Sequence, residues 1–481
     1  AEDHPQREEL LNLWKESTAN LLKAYNFSDE EIADLLEKRL ELDRRIAAVV
    51  LSNEESSEYA KLYHPYSYED FKKFAPALPL DDFFQTVIGK TPDNVIVDEE
   101  RFWQAAEQFY SEEAWPLLKA SLILSVVNLS TSYLTDEIRI LSGAYGRALS
   151  GVPEAQDKRK AAYHLAQGPF KQALGLWYAH EKFSPEAKAD VEKKVATMID
   201  VYKERLAKND WLTPETREKA IVKLNVIKPY IGYPEELPAR YKDKVVDESA
   251  SLFENALAFA RVEIKHSWSK WNQPVDYKEW GMPAHMVNAY YNPQKNLIVF
   301  PAAILQAPFY DLHQSSSANY GGIGAVIAHE ISHAFDTNGA SFDENGSLKD
   351  WWTESDYAAF KEKTQKVIDQ FDGQESYGAK INGKLTVSEN VADLGGIAAA
   401  LEAAKREPDF SAEEFFHNFA RIWRMKGRPE LMKLMASVDV HAPAKLRVNV
   451  QVPNFDDFFT TYDVKEGDGM WRSPEDRVII W

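Results

Sequence analysis

Leu10, Leu13, Trp14 and Leu21 recur at spacings of three, four and seven, which puts them on one face of a helix. Ser28 and Glu31 have the spacing of a capping box ahead of Ile32, Leu35, Leu36 and Leu40. Ser184-Pro185-Glu186 and Thr213-Pro214-Glu215 each set a cap residue before a proline at the first helical position. The first 220 or so residues therefore read as helix after helix. No internal repeat or low-complexity tract interrupts them.

The texture changes over residues 226–240, where Ile227 to Pro234 is aromatic and punctuated by proline and glycine. A domain boundary is expected at 225/226. Beyond it, Met286–Tyr291 and Leu297–Phe300 read as two short strands joined by the turn-like Asn292 to Asn296. Helical signals then return. The predicted fold class is mainly α with a smaller α+β part.

Composition narrows the function. The 481 residues carry 56 Lys and Arg against 76 Asp and Glu, a formal charge of −20 that repels phosphate backbones and argues against nucleic-acid binding. Cysteine is absent, which removes disulfides, thiolate catalysis and thiolate metal ligands together. No apolar run is long enough to span a bilayer. The chain begins at Ala1 with no signal-peptide pattern, so a processed or trimmed start is expected.

Candidate chemistry lies in Ile327 to Ala334, which contains His-Glu-x-x-His. Ile323, Val326, Ile327 and Ile331 give it a helical context. On a helix, His329 and His333 stand one turn apart and reach one metal ion, and Glu330 beside them can act on water activated there. With 11 His in the chain, chance would produce the pattern only about 0.02 times, so it signals a site rather than two surface imidazoles.

A third protein ligand is needed. The extension that supplies one from the same helix requires Gly at 336 and His at 339, and these positions hold Asp336 and Gly339. Ser388 to Gly396 offers Glu389 and Asp393 one helical turn apart, a ligand and a carboxylate behind a ligand imidazole. Glu389 fits a capping box with Thr386 equally well. Asp336 fits either an outer-shell role or the turn Asp336-Thr337-Asn338-Gly339.

Together these stretches resemble the neprilysin family of zinc endopeptidases, peptidase family M13, and especially its cysteine-free bacterial oligopeptidases. Val287 to Tyr291, Ile298 to Gln306, Asn319 to Gly324, His329 to Asp336, Glu389 to Gly396, and Asp439 to Pro443 followed by Arg447 carry the resemblance. It covers roughly residues 226–481 and is less diagnostic in the helical half.

The resemblance implies a large helical domain (1–225, covering and size-selecting) and a thermolysin-like catalytic domain (226–481) that enclose a cavity. It implies one zinc ion held by His329, His333 and Glu389, with Glu330 as the general base. Asp336 and Asp393 would orient the ligand imidazoles. His441 would stabilise the oxyanion, and Arg447 would hold a substrate carbonyl. Asn288 and Ala289 would bind the substrate backbone, while Ile304, Phe309, Val326 and Trp423 would line the pocket for the residue after the scissile bond. Cleavage of oligopeptides before bulky hydrophobic residues follows, by a monomer in the bacterial cytoplasm, with a secreted or cell-surface location as the alternative. A peptide- or protein-binding chain with little turnover is the rival; the intact Glu330 counts against it. An aminopeptidase would need acidic residues for the substrate amine, and no such motif is found.

The chain also departs from the family. The usual start of the segment ahead of the helical domain, which in relatives supplies an arginine near the substrate carboxylate, is not found in this sequence, which leaves a dipeptidyl-carboxypeptidase tendency open. Ala325 stands where relatives carry a larger residue, which implies more room in the pocket. Ile88 to Thr91 mimics a phosphate loop but lacks the earlier glycine, and the Asn-x-Ser triplets at Asn26, Asn128 and Asn345 carry no weight alone.

Overall fold

The computed structural model describes residues 7–481 and divides the chain into two compact units. Among the described residues, unit 1 comprises 7–170 and 238–274, and unit 2 comprises 171–237 and 275–481.

In unit 1, helices Arg7–Ala24 and Asp29–Ala47 are joined across Ser28, whose hydroxyl accepts from the Glu31 backbone while Glu31 reaches back, the capping box expected there. Leu21, Leu22, Ile32 and Leu35 pack with Ala120, Leu124 and Val127 of helix Trp115–Ser130. The all-helical expectation for this half is corrected at one point: His64–Ser67 pairs antiparallel with Asn94–Val97. Each strand is only four residues long, and the Val-Ile-Val run that favours the second has no local partner to reveal it.

The two compact units divide the chain at other places than 225/226. Helix Pro185–Lys208 is capped by Ser184 and helix Pro214–Val226 by Thr213, as expected, but both belong to unit 2. The buried stripe Val191, Val195, Met198, Tyr202 and Leu206 joins the same core as Ile327, Ile331 and Leu394. Tyr202 donates to the Ala328 carbonyl at 3.0 Å and also bonds Ser332, tying this helix to the His-Glu-x-x-His helix. Residues after 237 return to unit 1 and include helix Leu252–Ser269.

Unit 2 carries a three-stranded sheet. Leu297–Pro301 lies at its centre, parallel to Lys228–Gly232 and antiparallel to Tyr290–Asn292, with Val299 opposite both Tyr230 and Tyr290. The strand expected from Met286 begins only at Tyr290. Met286 and Val287 are exposed, because a turn bonds the Met286 N–H to Pro283 and the Asn288 N–H to Met286.

The motif helix Ala325–Ser332 is buried on every face, preceded by a π turn over Tyr320–Gly324. Its closest neighbour is helix Val387–Ala404. The two backbones meet at Gly396, where an added methyl would lie 2.8 Å from the His329 nitrogen and 2.9 Å from the Ala325 oxygen. Gly396→Ala is expected to cost about 1–3 kcal/mol by forcing the helices apart. A lower urea midpoint of the zinc-free protein checks this; an unchanged midpoint would show that the contact yields freely.

Candidate metal centre

His329 and His333 project from the motif helix one turn apart, and Glu389 enters from the first turn of Val387–Ala404. Their ligand atoms converge. The two Nε2 atoms are 3.0 Å apart, and Glu389 Oε2 is 3.3 Å from the first and 3.5 Å from the second. A tetrahedral ion with bonds of about 2.0–2.1 Å separates its ligands by about 3.3 Å. Glu389 is not a cap: Thr386 makes no side-chain cap bond, and its hydroxyl instead donates to the Asn382 carbonyl and accepts from Asn390.

The remaining imidazole nitrogens fix the donor set. His329 Nδ1 lies 2.9 Å from Asp393 Oδ1, and His333 Nδ1 lies 2.6 Å from Asp336 Oδ2. An ionised carboxylate only accepts, so each Nδ1 carries the proton and each Nε2 presents a lone pair. Two lone pairs and a carboxylate oxygen then face one another, and Glu389 Oε2 has no hydrogen-bond donor although it is buried. A cation resolves that arrangement, and the residues fit zinc. Among the described residues this is the one group of three or more such side chains close enough to share an ion.

Asp336 is fully buried and does more than face His333. Its Oδ1 accepts from the backbone of Asn338 at 2.9 Å and Gly339 at 2.6 Å, while Ser388 donates to Oδ2 at 2.6 Å. Asp336 thus both closes its own turn and faces the His333 imidazole. Asp393 receives a bidentate Arg447, with Nε at 2.7 Å and Nη2 at 2.6 Å. Burial pushes the Asp393 carboxyl up, but the charge of Arg447 and the bonds from His329 and Arg447 override it and hold it at about 2. The Arg447 guanidinium lies over the Trp423 ring at 3.7 Å.

Glu330 is buried beside the ligands. Burial raises its carboxyl above the ordinary range. His441 stands in a loop with Nε2 3.2 Å from Glu389 Oε2 and Nδ1 2.9 Å from Asp439 Oδ1. Burial works against its charge, yet the bond to Asp439 and the negative charge of nearby Glu389 raise it to about 9.

The structure thus brings together His329, Glu330, His333, Asp336, Glu389, Asp393, His441 and Arg447, with Trp423 attached through Arg447. Ile304 and Val326 are buried and Phe309 half-buried in the same core. Asn288 is exposed, and its side chain accepts from the Ala289 N–H at 2.9 Å, just ahead of the edge strand Tyr290–Asn292. Sequence reasoning missed Ser388, although it adjoins Glu389, and Asp439, two residues before the His it holds.

Two models of peptidase family M13 match the chain, one over residues 1–234 and one over 288–478. The chain belongs to peptidase family M13. The match reaches through the helical half, beyond the 226–481 segment that carried the resemblance. A Streptococcus gordonii protein named as a zinc metalloproteinase in the scaA 5′ region is 75% identical over 415 residues, covering 86% of this chain and 74% of that protein. The Neutral endopeptidase of Lactococcus lactis subsp. lactis is 47% identical over 480 residues, 100% of this chain and 76% of the relative. The crystal structure of PepO from Lactobacillus rhamnosis superposes with a TM-score of 0.96 at 36% identity, over 100% of this chain and 76% of PepO. This M13 chain is a zinc metallopeptidase with a mainly helical fold of the PepO type, and His329, His333 and Glu389 are compatible with its zinc site.

Proposed function

We propose that this M13 metallopeptidase cuts oligopeptides internally, on the amino side of bulky hydrophobic residues. The observation that carries the reading is the buried Glu330 beside a two-imidazole, one-carboxylate centre. Zinc bound there supplies a polarised carbonyl and an acidified water. Glu330 then takes the water's proton and passes it to the leaving amine. His441, held protonated by Asp439, donates to the developing oxyanion. Asp393 and Asp336 keep both ligand imidazoles in the tautomer that presents Nε2, and Arg447, fixed by Asp393, contacts a substrate carbonyl.

Ile304, Val326, Phe309 and Trp423 form the apolar pocket for the residue after the scissile bond; their burial supports that role. The exposed Asn288, followed by Ala289 and an edge strand, supports backbone binding by strand addition. The enzyme works as a monomer in the bacterial cytoplasm. No helix among the described residues is long and apolar enough to cross a membrane.

Mass-spectrometric mapping of products from a mixed peptide library tests the specificity. Internal cuts before Phe, Leu or Ile, lost with a chelator and restored by zinc, are expected. Single N-terminal residues as products would replace the reading with an aminopeptidase, and bound but uncut peptides would replace it with a binder. His441→Phe separates the oxyanion role from substrate binding: kcat should fall about 10²–10³-fold with KM little changed. A rise in KM at constant kcat would reassign His441 to ground-state binding.

A further inference from the structure

Lys223 is buried in unit 2, 1% exposed, on helix Pro214–Val226. Its ammonium donates to three backbone carbonyls, Ala334 at 2.7 Å, Gly339 at 2.8 Å and Phe342 at 2.6 Å. That uses all three of its donors. The rings of Tyr291, Phe335 and Trp351 stand 5.6–6.0 Å from the nitrogen. Burial pushes the amine down to about 7, against the pull of Asp336, Asp343 and Glu344.

The three carbonyls belong to one segment. It leaves the end of the motif helix directly after His333 and folds back on itself. Inside the fold sits Asp336, which bonds His333 on one side and the Asn338 and Gly339 backbone on the other. A second tie acts from the same place: Asn296 donates to the Lys223 carbonyl at 3.1 Å and to the Glu344 carbonyl at 3.2 Å. A helix end exposes carbonyls with partial negative charge, and a buried cation there both pairs them and opposes that charge. Without the ammonium, the three carbonyls would lose their charge-assisted bonds inside an aromatic cage, with Gly339 keeping the Phe342 N–H, and the segment would loosen.

We infer that Lys223 is a positioning residue for the zinc site: its ammonium fastens the segment 334–342 around Asp336 and so fixes the His333 imidazole for the metal. The group touches neither metal nor substrate. It acts along the route Lys223, the Ala334 and Gly339 carbonyls, Asp336, His333. The inference rests on zinc occupying the His329, His333 and Glu389 site; failure of the native protein to bind zinc would sink that premise, whereas the variants below test the route itself.

The experiment measures zinc dissociation constants by competition with a chromogenic chelator for native protein, K223M, D336N and K223M/D336N. K223M should weaken zinc about tenfold or more, in the range for loss of an outer-shell partner. The double variant should bind within about threefold of D336N alone, because both changes cut one route. Native affinity in folded K223M, or losses that simply multiply in the double variant, would overturn the inference. A second measurement needs no variant. Acetylation of native protein, followed by mass spectrometry, should label Lys223 about tenfold faster after zinc removal, with little change at the buried Lys244 of the other unit. Equal labelling of Lys223 with and without zinc would overturn the inference even if K223M does not fold.

Discussion

Glu330→Gln is expected to lower kcat by about 10²–10⁴-fold while zinc content and peptide affinity stay at native levels. The amide keeps the size and polarity of the carboxylate but accepts no proton, so only the transfer steps are lost. Glu330 points to this outcome because it is buried among the ligands without being one, and because burial raises its carboxyl toward the range where it can both take and return a proton. Single-turnover kinetics on a fluorogenic peptide, with isothermal titration of the same peptide, separate the two effects. A variant that turns over at more than about a tenth of the native rate would remove Glu330 from the proposed mechanism.

Asp393→Asn is expected to damage both stability and metal binding. The native carboxylate is shared: Oδ1 meets the His329 imidazole, and both oxygens meet the buried Arg447. Neutralising it strands the guanidinium under Trp423, a loss of about 3–5 kcal/mol for breaking one side of a buried pair. Zinc should also weaken, by about 10–100-fold, because His329 loses the anion behind its Nδ1. The pH dependence has a definite sign. Asp393 is depressed to about 2 in the folded state, so its stabilisation is complete above the unfolded carboxylate value of about 3.9 and is lost as pH falls through the interval between them. Guanidinium melts of zinc-free protein from pH 5 to pH 2 should show native stability falling toward that of the variant. Parallel curves would mean that Arg447 finds its counter-charge elsewhere.

The convergence of His329, His333 and Glu389 was legible because metal-binding chemistry demands a local pattern. His-Glu-x-x-His is one turn of helix, and Glu389 with Asp393 is another. Spacing alone left Glu389 undecided between ligand and cap, and the answer lay in where Thr386 spends its hydroxyl. The caps at Ser28, Ser184 and Thr213 were legible for the same local reason. The path of the chain between the two compact units was not. Periodicity says that Val191, Met198 and Leu206 face a core, but not which core, and the partner of that stripe lies more than a hundred residues along the chain. Met286 and Val287 have the composition of a strand, yet the turn at Pro283 leaves them exposed. Lys223 shows the limit most plainly. A lysine in an amphipathic helix reads as solvent-facing, and only the convergence of three distant carbonyls makes its burial stable.

The interleaved path of the chain has a consequence for how this enzyme can be divided. Because residues 171–237 build the floor under the zinc helix while 238–274 return to the other unit, the backbone passes between units three times. No single scission separates them into two contiguous pieces. A fragment starting at 226 would keep every zinc ligand yet lack the helix whose Tyr202 anchors Ala328 and Ser332. Modularity here belongs to the folded object and not to the gene, so recombination that swaps one unit between relatives must exchange two separate stretches of coding sequence at once.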